Sequence, residues 1–305
     1  MKIIVALGGN AVIRKGEKEN YRTLIKNIKE MVKNIAPIIK RNQVVITHGN
    51  GIEIGLLALQ NEIAKNKIPP MPLDILGAES QALIGYPLEE QIINALRDHK
   101  KDVTTILTQV LVSKDDPAFK NPTKFIGPFY TKAQAQKLKN KYKIKKDSNR
   151  GYRRVVPSPI PIEIIERKTI KRLLRNTIVI AVGGGGIPVI QTPQGLKGIE
   201  AVIDKDLASA ALANSIKASV LMMLTSVPNV YLNYGTKKQI PLKTISLDKI
   251  KALQLQGHFP PGSMGPKIQA AINFLEKRGK KVIITNPENA IKALNNKKGT
   301  IITKE

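Results

Sequence analysis

The 305-residue chain contains no cysteine, which excludes disulfides, zinc ribbons, iron–sulfur clusters and thiol nucleophiles. Its three histidines, His48, His99 and His258, are scattered, which argues against a histidine metal cage. Aromatic residues make up only 4% of the chain, few for a nucleic-acid stacking platform. Acidic residues are also scarce, because 23 Asp+Glu stand against 50 Lys+Arg, a formal net charge of +27. This excess predicts an anionic partner, with nucleic acid as the first candidate.

Long hydrophobic runs are missing as well. The longest uncharged stretch, residues 218–235, contains Pro228, two asparagines and several hydroxyls, which suit a membrane span poorly. The apolar residues 3–7 run directly into Gly8 and Gly9 without a credible cleavage site, so they predict a buried strand and not a signal peptide. With 42% hydrophobic residues the chain is typical of a globular protein, and we expect it to be soluble and cytoplasmic.

Short apolar, β-branched runs alternate with helical patterns along the chain. The predicted strands are residues 2–7, 43–48, 104–112, 177–182, 220–225, 281–285 and 300–303. The predicted helices are residues 21–40, 51–66, 78–98, 163–175, 205–216 and 267–278. This alternation predicts an α/β fold whose mostly parallel sheet is covered by helices on both faces. In such sheets, ligands bind beyond the carboxyl ends of the strands.

Residues 114–161 interrupt the alternation, because they are rich in Pro, Lys, Asn and Tyr and lack a long apolar run. A structureless loop of that length is uncommon inside a compact domain. We therefore expect a small subdomain inserted into a single domain of residues 1–305. The densest basic stretch, residues 132–154, has ten Lys/Arg and one Asp, so 10 − 1 gives +9.

Three glycine-rich turns, residues 8–10, 49–51 and 183–186, each follow a predicted strand. Glycine lets backbone N–H groups approach an anion closely, and a helix that follows adds a favourable dipole. One such turn is weak evidence and is better explained as a tight turn, but three predict one polyanion held at one edge of one sheet. No Gly-x-x-x-x-Gly-Lys-Ser/Thr or Gly-x-Gly-x-x-Gly occurs, which disfavours a P-loop NTPase or a dinucleotide oxidoreductase.

Two lysines are placed at predicted helix starts, where the helix dipole disfavours a cation by about 0.5 kcal/mol. Lys205 lies between Asp204 and Asp206, and Lys267 opens another helix. A bound phosphate reverses the sign of this cost, although pairing of Lys205 with its aspartates is an equal alternative. With the glycine turns, the lysines predict phosphoryl transfer, which needs no general base when the acceptor is already an anion.

Several longer segments resemble the carbamate kinases, a group within the amino acid kinase superfamily. The matching segments are residues 5–11, 47–51, 77–81, 84–86, 116–124, 127–130, 151–159, 183–188, 200–208 and 257–267. The resemblance covers almost the whole chain, and the segments 121–130, 153–159 and 257–267 are those that separate this group from other members of the superfamily. It implies a three-layer αβα open sandwich with a protruding lid at residues 114–161, in a homodimer.

The implied activity is the reversible reaction of carbamoyl phosphate and ADP to carbamate and ATP, with Mg²⁺ arriving on ATP or ADP and no metal site of the protein's own. The implied catalytic residues are Lys205, Lys267, Asp206 and, from the lid, Lys124. The glycine turns supply the phosphate-binding and substrate-binding residues Gly8, Gly9, Asn10, Gly49, Asn50, Gly51, Gly184 and Gly185. The implied nucleotide-binding residues are Thr225, Ser226, Tyr231, Met264 and Pro266.

Several positions depart from the family pattern. Ile52-Glu53-Ile54 stands where the family commonly has Pro-Gln-Val, so that Glu53 places a negative charge near the second glycine turn. Ser226 replaces a usual Asp near the nucleotide, Glu79 replaces a Met, and Tyr152 replaces a Trp. The phosphoryl-handling lysines and glycines are all present, so we expect activity.

Three alternatives stay open. Another superfamily kinase would act on a different small acid or phosphate, such as acetylglutamate, aspartate or isopentenyl phosphate. A catalytically weak homologue would retain the fold without turnover. A nucleic-acid-binding protein would explain the charge, but the chain carries no recognition-helix or RNA-binding motif. The direction of the reaction, towards ATP from arginine breakdown or towards carbamoyl phosphate supply, is also open.

Overall fold

The computed structural model describes residues 1–9, 17, 20–147, 151–260 and 262–305, so Asn10 lies outside the described residues. Its strands are β1 Lys2–Leu7, β2 Gln43–His48, β3 Asp102–Thr105, β4 Gln109–Leu111, β5 Lys124–Tyr130, β6 Ile144–Lys146, β7 Tyr152–Val156, β8 Glu163–Ile164, β9 Thr177–Ile180, β10 Ile187–Thr192, β11 Gly195–Gly198, β12 Val220–Leu224, β13 Val230–Leu232, β14 Ile240–Leu242, β15 Thr244–Ser246, β16 Lys281–Thr285 and β17 Thr300–Thr303. Its α-helices are α1 Tyr21–Arg41, α2 Glu53–Ala64, α3 Leu73–Ala95, α4 Lys132–Leu138, α5 Arg167–Leu173, α6 Lys205–Ser215, α7 Leu247–Leu255, α8 Met264–Lys277 and α9 Ala290–Leu294.

Within the described residues, the central sheet has eight strands in the order β15-β17-β16-β12-β1-β2-β9-β3. All neighbouring pairs are parallel except β16 and β17. Six of these strands, β1, β2, β9, β12, β16 and β17, were predicted at or within two residues of their observed bounds. The prediction of a mostly parallel sheet is therefore confirmed.

The sheet lies between two layers of helices. Successive residues of a strand face opposite sides, so Val5 belongs to one apolar cluster with Ile28 of α1 and Leu88 of α3, whereas Ala6 belongs to a second cluster with Leu212 of α6. Burial on both faces explains why the central strands read as continuous apolar runs. The predicted three-layer αβα architecture is confirmed.

The prediction of one strand over residues 104–112 is wrong. The chain forms β3 in the central sheet and β4 in a second sheet with β8, β10 and β11. The side chain of Gln81 explains the break, since its Nε2 donates to Thr108 O at 3.0 Å and its Oε1 accepts from Thr108 N at 2.9 Å. The Gln81 side chain thus uses the N–H of Thr108, while the Thr108 carbonyl also accepts from Ile187 N of β10 at 2.8 Å.

Several helix bounds also differ from the predicted ones. Helix α3 begins five residues early, directly after Pro72, a residue that is favoured at helix starts. The helix predicted over residues 163–175 spans only Arg167–Leu173 in the structure. It starts later because residues 163–164 form strand β8, which pairs with β4. Helix α7 and the short strands β10, β11, β13, β14 and β15 were not predicted, since none has a long periodic pattern.

Residues 114–161 contain an antiparallel sheet in the order β5-β7-β6, together with helix α4. The capping box of Thr131 and Gln134 begins α4, with Gln134 N 3.3 Å from Thr131 Oγ1 and Thr131 N 2.8 Å from Gln134 Oε1. We call residues 114–161 the lid, and their status as a subdomain stays a prediction. Among the described residues, no helix is both long enough and apolar enough to span a membrane.

Candidate active site

The three glycine turns lie side by side at one edge of the central sheet. They follow β1, β2 and β9, which are neighbours in the sheet. The parallel register pairs Leu7 with both His48 and Leu224, so these strands end level. Gly8 N donates to Leu224 O at 2.9 Å and Gly49 N to Leu7 O at 3.2 Å, which anchors the first two turns to the sheet.

The first two turns converge on Lys205. A Cβ atom on Gly49 would lie 3.4 Å from Gly9 N and 3.8 Å from Lys205 Cδ, whereas a Cβ atom on Gly9 would meet open space. Within the described residues, the backbone N–H groups of Gly9, Asn50 and Gly51 donate to no protein acceptor. These amides are therefore available to an anion, unlike those of Gly8 and Gly49.

The third turn packs against the second. Gly184 and Gly185 are buried with positive φ angles of 62° and 93°. A Cβ atom on Gly184 would overlap the amide of Asn50, and one on Gly185 would lie 2.5 Å from Ile203 O. Close packing alone explains both glycines, and a phosphate contact from them stays a prediction. The Asn50 amide donates to Ser80 Oγ at 2.7 Å, which fixes it between this turn and α3.

Asp206 joins the two predicted lysines. It accepts from Lys205 Nζ with Oδ1 and from Lys267 Nζ with Oδ2, the latter at 2.8 Å. Lys205 is the first residue of α6 and Lys267 the fourth residue of α8, and all three side chains are about nine-tenths buried or more. One carboxylate thus holds two ammonium groups beside the glycine turns, where they can stabilise developing negative charge.

Charge and burial compete in this cluster. Burial would raise the pKa of Asp206, but Lys205 and Lys267 outweigh it and hold that pKa well below its ordinary value. For Lys205, burial dominates and lowers the pKa of the ammonium. For Lys267, burial lowers the pKa, but Asp206 outweighs it and the net shift is upward. An incoming phosphate would favour the charged form of Lys205.

Lys124 reaches the cluster from the lid through Asp204, a residue that sequence analysis did not include in the site. Lys124 Nζ lies 2.6 Å from Asp204 Oδ2. The other oxygen, Oδ1, caps α6 by accepting from Asp206 N at 2.9 Å and Leu207 N at 3.3 Å. The sequence signal for this role was an aspartate directly before a predicted helix, which is a strong N-cap pattern.

His48 is a second residue that sequence analysis missed. It is 1% exposed, at the end of β2, and its Nδ1–H donates to Gly49 O at 3.1 Å. Burial, which outweighs that hydrogen bond, and the charge of Lys205 lower the pKa of His48 to about 4. The ring is therefore neutral near pH 7, so it orients the second glycine turn without adding charge.

The predicted nucleotide-side residues lie at the end of β12, in β13 and in the first turn of α8. Thr225 and the exposed Ser226 directly follow β12, the neighbour of β1, and Tyr231 is half-buried in β13. Met264 and Pro266 occupy the first turn of α8, the helix that carries Lys267. Proline costs little there because its missing N–H would have no helical partner. Their nucleotide contacts stay predictions.

The remaining departures from the family pattern have different environments. Glu53 is buried as the first residue of α2, where the helix dipole favours an acidic side chain. Glu79 is exposed on α3 and therefore faces solvent. Tyr152 is half-buried in β7, paired with Tyr130 of β5.

Comparison with known proteins agrees with this fold. Residues 1–286 match the family model of the amino acid kinase family. A match over most of the chain, together with the αβα sandwich and the lysine cluster at the strand ends, defines the class of protein. The chain belongs to the amino acid kinase family.

Relatives that are 42–46% identical over nearly the full length are carbamate kinases. The carbamate kinase of Pyrococcus horikoshii is 46% identical over 310 residues, covering 99% of each chain. The carbamate kinase of Giardia lamblia bound to citric acid superimposes with a TM-score of 0.95 at 42% identity, covering 100% of this chain and 98% of that one. The same Giardia enzyme bound to AMP-PNP gives a TM-score of 0.91 at 42% identity, with the same coverage. The resemblance to the carbamate kinases is confirmed, and the protein is a kinase of that group.

Proposed function

We propose that the protein catalyses reversible phosphoryl transfer between carbamoyl phosphate and ADP, giving carbamate and ATP. The observation that carries the proposal is the pairing of Lys205 and Lys267 on the single carboxylate of Asp206, beside two glycine turns with unused amides. The names of the full-length relatives support carbamate as the acceptor, and the AMP-PNP complex of the Giardia enzyme supports an adenine nucleotide.

In this mechanism the β-phosphate oxygen of ADP attacks the phosphorus of carbamoyl phosphate. A new P–O bond forms, the bond to the carbamoyl oxygen breaks, and carbamate leaves as an anion, so no proton has to move. Lys205, Lys267 and the amides of Gly9, Asn50 and Gly51 would neutralise the oxygens of the transferring group. Lys124 would contact carbamoyl phosphate from the lid, in place of its present partner Asp204.

Magnesium is predicted to arrive on the phosphates of ATP or ADP. Among the described residues, no three His, Asp or Glu side chains are grouped as metal ligands. Both oxygens of Asp206 already accept from lysines, and both oxygens of Asp204 are used by Lys124 and the α6 cap. The described residues therefore do not fit a magnesium site of the protein's own, and the steps above depend on lysines and amides alone.

A homodimer is proposed from the exposed face of α3. Ile75, Tyr86 and Ile93 are 43%, 64% and 49% exposed, and their spacing places them on one side of the helix. Covering this stripe with a second copy would remove apolar surface from water. Light scattering of the protein at micromolar concentration tests this, and Ile93→Lys should shift a dimer towards monomer. A monomeric wild-type protein would contradict the proposal.

The test of function is ATP formation from carbamoyl phosphate and ADP at saturating magnesium. Lys205→Ala and Lys267→Ala should each reduce kcat by about 10²–10³, the cost of one donor to a developing anion. Lys249→Ala, on the exposed side of the first turn of α7, is the matched control and should leave kcat unchanged. If the wild type instead phosphorylates acetylglutamate, aspartate or isopentenyl phosphate, the substrate proposal fails. If it transfers no phosphoryl group at all, the protein is a weak homologue.

A further inference from the structure

Arg153 is a buried arginine of the lid that no step of the proposed mechanism uses. It lies in β7 and is only 8% exposed. Its Nη1 lies 3.4 Å from Asp147 Oδ2, and its guanidinium lies 4.9 Å from the ring centre of Phe129. A buried guanidinium requires partners for its charge and its donors. Two of those partners are backbone carbonyls that connect the lid to the second glycine turn.

The guanidinium bridges Gly127 of the lid and Gly51 of the turn. Its Nε donates to Gly127 O at 2.9 Å, and its Nη2 donates to Gly51 O at 3.4 Å. Gly127 N donates to the same Gly51 carbonyl at 3.0 Å. The planar fork of arginine serves three acceptors at once in a fixed geometry, which a lysine cannot reproduce.

These bonds orient the turn as well as attach the lid. In a trans peptide, the carbonyl of one residue and the N–H of the next point in opposite directions. Holding Gly51 O towards the lid therefore directs Ile52 N–H away from the lid donors. In the same way, His48 holds Gly49 O and so directs Asn50 N–H. Two buried side chains thus set the directions of two amides, Asn50 N–H within the turn and Ile52 N–H directly after it.

The lid backbone sits directly on helix α2 at this point. A Cβ atom on Gly55 would clash with Gly127 Cα and Gly127 N, so only glycine allows this approach. Gly127 itself has a φ of +73°, a conformation that favours glycine. Lys124 begins the same strand, three residues before Gly127, which is about 10 Å of extended chain. The position of this contact therefore sets where Lys124 meets Asp204.

Resting on the proposed function, we propose that Arg153 is a positioning residue. It couples the position of the lid to the orientation of the second glycine turn, and thereby to binding of the transferring phosphoryl group. Its substitution should loosen the turn and misplace Lys124 together. Carbamoyl phosphate binding depends on both, whereas ADP binding is proposed to depend on residues after β12 and in α8.

The kinetic test uses four variants. Arg153→Met should raise the KM for carbamoyl phosphate about tenfold or more and change the KM for ADP less than about twofold. Arg153→Lys should recover part of this loss. Gly55→Ala retains every charge and favours the helix. It should also raise the KM for carbamoyl phosphate while changing the KM for ADP little. Arg154→Met is the matched control in the same strand, because Arg154 stacks on Tyr142 at 4.4 Å instead, and it should behave like wild type.

A second measurement does not depend on activity. Hydrogen exchange of residues 49–53 should be faster in Arg153→Met and in Gly55→Ala than in wild type, and unchanged in Arg154→Met. Unchanged KM values with a kcat reduced only in proportion to the folded fraction would overturn the proposal, as would unaltered exchange in this turn. If the wild-type protein forms no ATP but the variants show the expected changes in hydrogen exchange, the proposed function alone is wrong. The role of Arg153 in orienting the turn would then still be supported.

Discussion

Lys267 Nζ lies 2.8 Å from Asp206 Oδ2, although the two residues are 61 positions apart in the chain. The second oxygen of the same carboxylate accepts from Lys205, so one anion holds two buried cations. Without Asp206, burial and mutual repulsion would disfavour charge on both ammonium groups. The arrangement retains two positive charges at the strand ends before any anionic substrate binds.

Replacing Asp206 with Asn should therefore reduce both activity and stability. The variant leaves two buried lysines without their counter-ion, a change that costs about 3–5 kcal/mol for a buried pair. We expect kcat for ATP formation to fall at least about 100-fold. Steady-state kinetics and urea unfolding measure the two effects. Asp248→Asn is the matched control, since Asp248 is the exposed second residue of α7 just as Asp206 is the second residue of α6. Equal effects in the two variants would contradict the assigned role.

The Asp206 contribution to stability should depend on pH. Its pKa in the fold lies below the ordinary value of about 4, so its stabilisation is complete above pH 4 and is lost as the pH falls towards the lowered pKa. The difference in unfolding free energy between wild type and Asp206→Asn should thus be constant from pH 7 to 5 and shrink below pH 4. Urea unfolding at several pH values measures it. A difference that does not change down to pH 2 would refute this origin.

His48 should destabilise the fold in a separate, milder acid range. The unfolded chain binds a proton near pH 6.5, whereas the folded protein resists protonation until about pH 4. Stability should therefore fall as the pH drops from 6.5 to 4, by about 3 kcal/mol in total. His48→Gln, which retains a donor for Gly49 O, should remove this slope from unfolding curves. His258→Gln serves as the control, and an unchanged slope in His48→Gln would argue against the prediction.

Gly184→Ala should destabilise the protein through a clash with Asn50. Backbone strain at its φ of +62° contributes about 1–2 kcal/mol, and overpacking adds about 1–3 kcal/mol. Gly235→Ala separates the two effects, since Gly235 has a φ of +79° but open space around its Cα. Thermal unfolding of both variants measures the difference. Similar losses would mean that strain alone requires glycine at position 184.

The net charge of +27 should steer anionic substrates towards the protein. Because screening weakens long-range attraction, kcat/KM for carbamoyl phosphate should decrease with ionic strength more steeply than kcat does. Steady-state assays over a series of KCl concentrations test this. If neither constant responds to salt, the excess charge serves only to solvate the surface. A general polyanion affinity would appear instead as sequence-independent DNA binding that disappears at physiological salt.

Most of the central fold could be predicted from local patterns. Apolar β-branched runs determine the central strands, because burial on both faces requires an unbroken hydrophobic segment. Local patterns did not show that residues 104–112 form two strands, β3 and β4. The reason is that the Gln81 side chain, which bonds to Thr108 between them, comes from another element. The excursion at 114–161 was visible in composition, but its three-stranded sheet was not, because β5 and β7 carry no clean alternation.

For the candidate site, the sequence alone determined which residue types were present: glycines at three strand ends and lysines near two helix starts. Only the tertiary structure decided their partners. Lys124 pairs with Asp204 across 80 positions, and Arg153 reaches Gly51 across 102. Local periodicity determines the face on which a side chain lies, but pairing between distant segments depends on how the sheet order brings strand ends together. For that reason Asp204, His48 and Arg153 became recognisable only once β2, the lid and α6 had met at one edge of the sheet.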